Sequence, residues 1–382
     1  MNKSIYLDHF ATAPVDPRVF EAMRPFFTDF FGNAHSRNHR FGWQAEEAID
    51  DARKKIARLI GAHPSEIVFT SGATESNNLA IKSVAELLAD KGDHIITVAT
   101  EHKSVLNSCQ RLQQKGLNVT VLPIQPNGLI DLNQLRAALT DKTILISIMY
   151  ANNEIGVIQP ISEIGRIAQE RGVTFHCDAT QAVGKIPVDV NREHIDLLTL
   201  SAHKIYGPKG VGALYVRRQG LLARMPAQID GGDQEFGLRS GTLNVPGIVG
   251  LSEACLIAQS VMKEESERLA TLRNCLQAKL TNELKNISIN GDIEQRLPNL
   301  LSISFAGVDT EALLQRLKNI AVSSGSACAS STHQPSHVLK AIGITDDLAR
   351  STLRFGLGRF NTQEEIDYVA LKVIVVVRKL LG

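Results

Sequence analysis

Short apolar runs alternate with amphipathic stretches along the first two thirds of the chain. Between about residues 65 and 216, the runs predict strands at Glu66–Thr70, His94–Ala99, Val119–Ile124, Thr143–Met149, Val173–Asp178, Asp196–Ser201 and Val211–Val216. Several are apolar almost throughout, which is typical of strands covered on both faces. Helical patterns separate them at Glu75–Ala89, His102–Lys115, Asp131–Leu139 and Ile161–Arg171. This alternation predicts a mostly parallel sheet with right-handed crossovers.

The pattern changes after Thr242. A long helical stretch reaches about Lys285 and is followed by predicted strands near Ile287–Asn290 and Leu301–Phe305, a helix at Thr310–Leu317, a strand at Ser351–Gly356 and a helix from Thr362. We interpret this part as a smaller α/β domain that the first dozen residues join. The predicted division is a large domain at 15–255 and a small domain made of 1–14 plus 256–382.

Length and charge narrow the classes of protein. The 382 residues suit two domains rather than one core. Lys plus Arg is 41 and Asp plus Glu is 40, so the formal charge of +1 gives no electrostatic reason to expect nucleic acid or an acidic membrane as a partner. No apolar leader or window of about 18 apolar residues is present, which favours a cytoplasmic protein. The scattered cysteines, with no C-x-x-C pair, indicate neither a metal site nor a disulfide framework.

One lysine follows a buried-type strand and precedes a turn rich in Gly and Pro. The segment 201–210 reads Ser-Ala-His-Lys-Ile-Tyr-Gly-Pro-Lys-Gly, with the lysine at Lys204. Taken alone, Lys204 is most simply a surface residue on a loop. The alternative is a Schiff-base lysine, since a desolvated lysine readily loses its proton and attacks carbonyl groups.

Two further segments favour a phosphorylated cofactor with a ring nitrogen. Asp178 ends an apolar strand, and ligands of open α/β sheets gather at such carboxyl ends. A carboxylate there can pair with a protonated pyridine nitrogen, although a turn or cap aspartate looks the same. Residues 66–74 read as strand, Ser-Gly turn and helix start, which offers backbone N–H groups to a phosphate. Ser201 and His203 could add side-chain donors.

Many motifs together carry a resemblance that no single residue carries. They are Tyr6–Asp8, Arg40–Gln44, Ser71–Thr74, Thr100–Lys103, Asn152–Gly156, Asp178–Gln181, the Lys204 segment, Arg239–Thr242, Ser323–Cys328 and Arg354–Arg359. In this order they resemble the cysteine desulfurases of the NifS/IscS type. The resemblance covers nearly the whole chain. It implies the aspartate-aminotransferase-like fold type I of pyridoxal-phosphate enzymes, with a large mostly parallel-sheet domain and a smaller α/β domain.

The resemblance also implies how the cofactor is held. Lys204 would form the Schiff base with pyridoxal 5′-phosphate and move protons, and Asp178 would pair with its pyridine nitrogen. His102 would stack over the ring and act as acid–base for the substrate thiol. The implied cofactor-binding set is Lys204, Asp178, Gln181, Ala73, Thr74, His102, Asn153, Ser201, His203 and Thr242. Of these, Thr242 would come from the second subunit of a homodimer.

Substrate roles follow from the same resemblance. Arg354 would form a bidentate fork on the carboxylate of L-cysteine, with Asn153 beside it. Cys328 would take the substrate sulfur as a persulfide and pass it to an acceptor or iron–sulfur scaffold protein. Without the family resemblance, each of these residues has a simpler structural interpretation. His102 would be a helix cap and Asn153 a turn residue. Arg354 would be an exposed strand residue, and Thr242 would be the N-cap of the long helix.

Cys328 lies in a run of small residues, Ser-Ser-Gly-Ser-Ala-Cys-Ala-Ser-Ser-Thr at 323–332. Such a segment is expected to be mobile, because no side chain in it can anchor in a core. At about 3.3–3.6 Å per residue, Cys328 could move roughly 17 Å from Ser323. Cys109, Cys255 and Cys275 lie in helical patterns and are predicted to be buried structural thiols.

The sequence departs from the family pattern in three places. Asp230 and Asp233 stand in a segment where a histidine followed by three glycines is frequent. Cys177 precedes Asp178 where an apolar residue is usual, and strand alternation predicts that it points into the core. The sequence ends at Gly382, whereas housekeeping members carry a longer C-terminal tail that engages the scaffold, so docking by that tail is not expected.

Some of the same residues also fit other functions. A cysteine or cystine lyase, or an aminotransferase, would need no protein thiol, so Cys328 favours the desulfurase. A binding protein that keeps the fold without catalysis would be expected to lack Lys204, Asp178, His102 or Arg354. Selenocysteine is a possible substrate, because the pocket would require only a carboxylate, an amine and a chalcogen. The pathway that receives the sulfur is left open by the sequence.

Overall fold

The computed structural model describes residues 4–218, 224–324 and 335–382. The strands are β1 (Ile5–Tyr6), β2 (Ile67–Thr70), β3 (His94–Val98), β4 (Asn118–Leu122), β5 (Thr143–Ser147), β6 (Thr174–Asp178), β7 (Leu197–Ser201), β8 (Gly212–Val216), β9 (Ile287–Ile289), β10 (Leu300–Phe305), β11 (Ile320–Ala321) and β12 (Thr352–Gly356). The helices are α1 (Pro17–Met23), α2 (Pro25–Thr28), α3 (Arg40–Ile60), α4 (Ala73–Leu87), α5 (Lys103–Gln113), α6 (Leu132–Ala138), α7 (Ile161–Glu170), α8 (Val245–Glu283), α9 (Thr310–Arg316), α10 (His337–Ala341), α11 (Asp346–Arg350) and α12 (Gln363–Leu381).

The larger sheet has the strand order β2-β8-β7-β6-β5-β3-β4 among the described residues. Its strands are parallel except for β8, which runs against both of its neighbours. The predicted strands agree with the observed ones to within about two residues at either end. The prediction of a mostly parallel α/β sheet is therefore confirmed.

Both faces of this sheet are covered, as the apolar strand sequences predict. Every residue of β3, β5 and β7 is buried. Successive residues alternate between two cores, so that Leu145 packs on one face and Ile146 on the other. Cys177 lies in the core that contains Ile146 and is fully buried, as predicted. The carboxyl ends of β6 and β7 are thus held rigidly.

A second, smaller sheet has the antiparallel order β12-β10-β9, and β1 pairs with β11 beside it. Its core contains Leu301, Phe355 and Val373. Leu7, from the N-terminal segment, is fully buried in the same core. Ile5 and Leu7 thus pack with this later part of the chain, whereas Phe10 lies in the core of the larger sheet.

Helix α8 connects the core of the larger sheet with the core of the smaller sheet. Its 39 residues correspond to about 58 Å at 1.5 Å per residue. Asn244 caps its start by accepting a hydrogen bond from Gly247 N, so the plainer interpretation of Thr242 as the N-cap is wrong. By length and composition α8 is apolar enough to cross a membrane, contrary to the expectation from the sequence. More than half of its apolar window is buried in the protein, which identifies a core helix.

The region before residue 65 carried no predicted element, yet α1, α2 and α3 lie there. The buried face of α3 contains Ile49, Ile56 and Ile60 beside its alanines, so the segment has a helical period although no helix was predicted there. The helix ends at Gly61, whose φ of 72° is left-handed, as is common for a glycine after the last turn.

Candidate active site

A cavity of about 600 Å³ opens at the carboxyl ends of β6 and β7. The predicted site residues that line it are Ala73, Thr74, His102, Asn153, Asp178, Gln181, Ser201, His203, Lys204 and Arg354. Thr242 is exposed and does not line the cavity within this chain. Cys328 lies outside the described residues. The structure therefore brings together almost all of the predicted site, which sequence order alone leaves scattered.

Lys204 ends a short 3₁₀ turn, Ala202–Lys204, directly after β7. The chain then passes through Tyr206 with a left-handed φ of 66°. A Cβ on Gly207 would lie 2.8 Å from Ala202 Cβ, so only glycine fits there. Lys204 Nζ donates to the carbonyl oxygens of Phe10 at 2.7 Å and Ala11 at 2.6 Å. This tight turn directs the amine into the cavity, against the N-terminal segment.

The Asp178 carboxylate is held from two sides. Asn77 Nδ2 donates to Oδ2 at 2.7 Å, and Thr180 N donates to Oδ1 at 3.0 Å. Asn77 is fully buried on α4, and the sequence analysis missed it. A polar residue on the buried face of a helix that follows the Ser-Gly turn is the signal that could have found it. These donors stabilise the ionised carboxylate and fix its direction.

His102 precedes α5 as its N-cap, which confirms the plainer interpretation and leaves the ring on the cavity wall. Ser104 N donates to Nδ1 at 3.2 Å. A backbone amide can only donate, so the neutral ring carries its proton on Nε2. Burial lowers the pKa of His102, partly opposed by the charge of Asp178. The ring therefore stays neutral to a lower pH than an exposed histidine.

Glu101 lies behind His102 and is fully buried. Its Oε1 accepts a hydrogen bond from Met149 N, and burial together with the charge of Asp178 raises its pKa well above the ordinary value. Burial thus favours the protonated form of this carboxyl group.

The opposite end of the cavity has the features of an anion site. Gly72 has a left-handed φ of 147°, and α4 starts at Ala73, so the first N–H groups of the helix have no acceptor within it. Ser201 Oγ would lie 3.8 Å from a Cβ on Gly72, which places this hydroxyl beside the turn. Burial and the charge of Lys204 lower the pKa of His203 to about 4. This end therefore combines backbone, hydroxyl and neutral imidazole groups.

Gln181 has a fixed amide orientation. Its Oε1 accepts from Lys185 Nζ at 2.8 Å, and its Nε2 donates to Phe10 O at 3.2 Å. Phe10 O is thus shared with Lys204. Lys185 was not predicted as a site residue; burial and the charge of Lys204 lower its pKa to about 7.

Arg354 is 1% exposed, so its interpretation as an exposed strand residue is wrong. Its Nη1 donates to Asn153 O at 2.9 Å, and its Nη2 donates to Asp8 Oδ1 at 2.7 Å. Asn153 thus contributes its backbone carbonyl here. Arg354 Nε is buried and has no hydrogen-bond partner among the described residues. A guanidinium with a spare buried donor at a cavity wall suits an incoming carboxylate.

These features can be compared with what pyridoxal phosphate requires. The cofactor needs a lysine amine, a carboxylate for its ring nitrogen and donors for its phosphate. Lys204, Asp178 and the Gly72 turn provide them around one cavity. The buried donors that orient Asp178 and the open N–H groups of α4 suit these groups specifically. The residues therefore fit the cofactor.

The departures from the family pattern lie outside the cavity. Asp230 and Asp233 are exposed and are not among the residues that line it. Between them and Thr242, Glu235 is buried with a left-handed φ of 49°. Its carboxylate pairs with Arg53 at 2.7 Å and accepts from Phe69 N at 2.6 Å. This segment is therefore fastened to β2, just before the Ser-Gly turn.

The other thiols are mostly inert. Cys109 and Cys255 are buried, and burial raises the pKa of each to about 12. Cys275 is only half-buried and accepts a hydrogen bond from Gln363 Nε2 at 3.2 Å, so its predicted burial is only partly correct. A thiol with a raised pKa forms little thiolate, which argues against nucleophilic roles for the first two.

Comparisons with known proteins agree with this geometry. The aminotransferase class-V family matches residues 5–369. Cysteine desulfurase IscS of Pectobacterium carotovorum subsp. carotovorum (strain PC1) is 56% identical over 384 residues, covering 100% of this chain and 94% of that protein. A solved NifS-like protein has a TM-score of 0.92 at 38% identity and covers 98% of this chain and 100% of that one. SspA in complex with cysteine has a TM-score of 0.82 at 40% identity, with coverages of 94% and 100%.

The fold and the full-length family match define the class: the chain belongs to the class-V aminotransferases, which are pyridoxal-phosphate enzymes. Within that family it belongs to the cysteine desulfurases of the NifS/IscS type. The expectations for fold class, cofactor and family are therefore confirmed.

Proposed function

We propose that this protein removes sulfur from L-cysteine, releases L-alanine and passes the sulfur on through Cys328. The observation that carries the proposal is the single cavity in which Lys204, Asp178, His102 and Arg354 meet. A related protein, SspA, has been solved with cysteine bound, and this supports the choice of substrate.

Pyridoxal phosphate, when bound, supplies an electron sink for the pair of electrons left at the substrate Cα. Asp178 would pair with the ring nitrogen, because Asn77 and Thr180 fix the direction of its carboxylate. Lys204 Nζ moves the proton at Cα, and its tight turn limits where the amine can reach. Thr74, Ser201 and His203 hold the phosphate.

Two residues handle the ends of the substrate. Arg354 donates to Asn153 O and to Asp8. It binds the substrate carboxylate with its remaining N–H donors. His102 is neutral, and its Nδ1 already accepts from Ser104 N, so Nε2 is the nitrogen that exchanges a proton with the substrate thiol. Arg354 is almost fully buried, and His102 is held by its contact with Ser104 N, which favours a single substrate orientation.

Sulfur transfer requires a nucleophile of its own. The Cys328 thiolate attacks the substrate sulfur, an S–S bond forms, and the C–S bond breaks with its electron pair going to the substrate carbon. That carbon then takes up a proton, and the resulting amino acid is released as alanine. The outer sulfur of the Cys328 persulfide is subsequently transferred to an acceptor protein, such as an iron–sulfur scaffold.

The products distinguish this function from a lyase. The cofactor-loaded protein with L-cysteine and a thiol reductant should give alanine and sulfide in a one-to-one ratio. Quantitative amino-acid analysis, sulfide determination and a pyruvate assay on the same samples would measure this. Pyruvate and ammonia in place of alanine would establish a lyase and refute the proposal.

We further propose a homodimer as the functional unit. Large aromatic side chains are exposed close together at the start of the chain: Phe20 at 55%, Phe27 at 60%, Phe31 at 64%, Phe41 at 48% and Trp43 at 55%. Such an apolar patch usually marks an interface, and a second copy would cover it. The same arrangement would let the exposed Thr242 reach the phosphate of the other subunit.

The replacement of Phe31 and Trp43 by Asp should convert the dimer to monomers, because two buried charges would be unpaired at the interface. Light scattering would measure the mass, and equilibrium dialysis the affinity for pyridoxal phosphate, which should fall. Leu371→Asp is the matched control, because Leu371 is equally exposed at 63% but lies on α12. A wild-type monomer with full activity would rule out the dimer proposal.

We also propose a cellular location and a division into domains. The protein works in the cytoplasm, in keeping with the free thiols at Cys109, Cys177, Cys255 and Cys275 among the described residues. The division into a large domain at 15–255 and a small domain of 1–14 plus 256–382 is supported by the burial of Leu7 in the smaller core.

A further inference from the structure

Asp8 stands at the centre of a small hydrogen-bonded network next to Arg354, with its own side chain half-buried. Its Oδ1 accepts two hydrogen bonds, from Arg354 Nη2 at 2.7 Å and from Ser323 Oγ at 2.6 Å. Arg354 Nη2 also donates to Ser323 Oγ at 3.1 Å. Asp8 is not among the residues that line the cavity. The carboxylate therefore contacts the guanidinium from behind.

The backbone holds Asp8 firmly in this place. On one side, Leu7 N donates to Ala321 O at 2.8 Å. On the other, Gly356 N donates to Leu7 O at 2.7 Å, and Asp8 forms a bridge with Gly356. Gly356 belongs to β12, the strand that also carries Arg354. The backbone segments that carry the Asp8 carboxylate and the Arg354 guanidinium are thus hydrogen-bonded to each other. Little conformational entropy is therefore lost when the two side chains pair.

Glu154 is the other carboxyl group close to Arg354. Glu154 Oε2 accepts a hydrogen bond from Ser336 Oγ, and burial raises its pKa. Asp8 makes the direct ion pair with Arg354, at 2.7 Å. Asp8 is therefore the close counter-charge that a buried guanidinium needs, and it keeps the Arg354 side chain pointed at the cavity wall.

The protein contacts of Arg354 use only some of its N–H donors and leave the others available to a substrate. Nη1 is anchored on Asn153 O and Nη2 on Asp8, while Nε has no partner among the described residues. Without Asp8, the guanidinium would lose its counter-ion, and Nη2 would keep only its longer contact with Ser323 Oγ, at 3.1 Å. The side chain could then turn, and the spare donors would no longer meet a substrate carboxylate at a constant angle.

We propose that Asp8 is a positioning residue that acts through Arg354, setting the affinity and selectivity of the enzyme for substrates with an α-carboxylate. The proposal rests on the proposed function, since it assumes that Arg354 holds the carboxylate of the amino acid. Asp8 makes no contact with the substrate itself. Its effect should therefore vanish when either the carboxylate or Arg354 is absent.

The test compares two small ligands of the cofactor-loaded enzyme. L-Alanine carries the carboxylate and ethylamine is the same molecule without it. Asp8→Ala should weaken L-alanine binding roughly 10- to 100-fold, the usual range for losing a charged hydrogen bond, and ethylamine binding by less than about 3-fold. Titration followed by the cofactor absorption band, and by calorimetry, measures both. With L-cysteine, KM should rise more than kcat falls.

A double-mutant cycle separates positioning from general damage. In an Arg354→Ala background, Asp8→Ala should change L-alanine affinity by less than about 3-fold, because the route of its action is gone. Asp8→Asn keeps an acceptor of the same shape and should fall between wild type and Asp8→Ala. Asp16→Ala is the matched control: it breaks another buried aspartate–arginine pair, with Arg359 at 2.8 Å, that does not line the cavity.

Each outcome has one meaning. If Arg354→Ala leaves L-alanine affinity unchanged, the carboxylate role in the proposed function fails. If Arg354→Ala weakens it but Asp8→Ala does not, the inference about Asp8 is overturned. Equal losses for L-alanine and ethylamine, or losses that add to those of Arg354→Ala, would make Asp8 a structural residue only and would also overturn it. Thermal unfolding of every variant identifies any that is not folded.

Discussion

Cys328→Ser is expected to reduce alanine formation to less than about 1% of the wild-type rate while the cofactor and L-cysteine still bind. The reason is chemical: a thiol is a few per cent thiolate near pH 7 and strongly nucleophilic, whereas a hydroxyl group is not. Lys204, Asp178 and Arg354 are unchanged, so the protein should remain yellow and respond spectrally to L-cysteine. Steady-state alanine assays and absorption spectra of the same preparation would show the separation of binding from turnover.

The matched control is Cys275→Ser, which removes a half-buried thiol elsewhere in the chain. It should keep near-normal turnover. Mass spectrometry of wild-type protein given L-cysteine without reductant should find one added sulfur on the peptide that contains Cys328, in wild type and control alike. If Cys328→Ser produced alanine at the wild-type rate, the persulfide route would have to be abandoned, while the family and cofactor would stand.

Lys204→Ala should lower turnover by at least the factor of about 10² to 10⁴ that a positioned general base contributes. It should also remove the covalent attachment of the cofactor. Borohydride treatment of wild-type protein, followed by peptide mapping, should place the label on Lys204. The variant should still bind pyridoxal phosphate reversibly, because Asp178 and the phosphate turn are intact.

Lys209→Ala serves as the control, because Lys209 also lines the cavity but is exposed and carries no proposed role. Its label should stay on Lys204. A label on Lys209 or on the half-buried Lys185 would contradict the assignment of the cofactor lysine. Thermal unfolding with and without pyridoxal phosphate would show that the loss of activity in Lys204→Ala is not a loss of fold.

The sequence predicted the larger sheet well because its strands are buried on both faces. Runs such as Thr143–Ser147 leave few alternatives to a central strand. Helix α3 was not predicted, although Ile49, Ile56 and Ile60 give its buried face a helical period. Charged residues separate these apolar positions, so an amphipathic helix of this kind stands out less in a sequence than a continuous apolar run.

The candidate site was predicted through the order of motifs, and its supporting contacts were not. Asn77 and Asp8 each hold a predicted residue in place across a large separation in sequence. Such pairing depends on how strands and helices are arranged in space, which no local spacing encodes. The same reason explains Arg354, whose strand position suggests exposure although the small sheet and N-terminal segment bury it.

Helix α8 limits how this enzyme can be recombined with its relatives. Leu251 and Cys255 near its start pack in the large core, while Leu272 and Leu276 pack in the small one. A chimera joined near residue 255 would therefore take the two ends of this single helix from different proteins, and each end would have to pack in a core that it does not match. A junction outside Val245–Glu283 would transfer the helix with both of its packing faces intact. For the same reason, differential scanning calorimetry should record a single unfolding peak rather than one for each core.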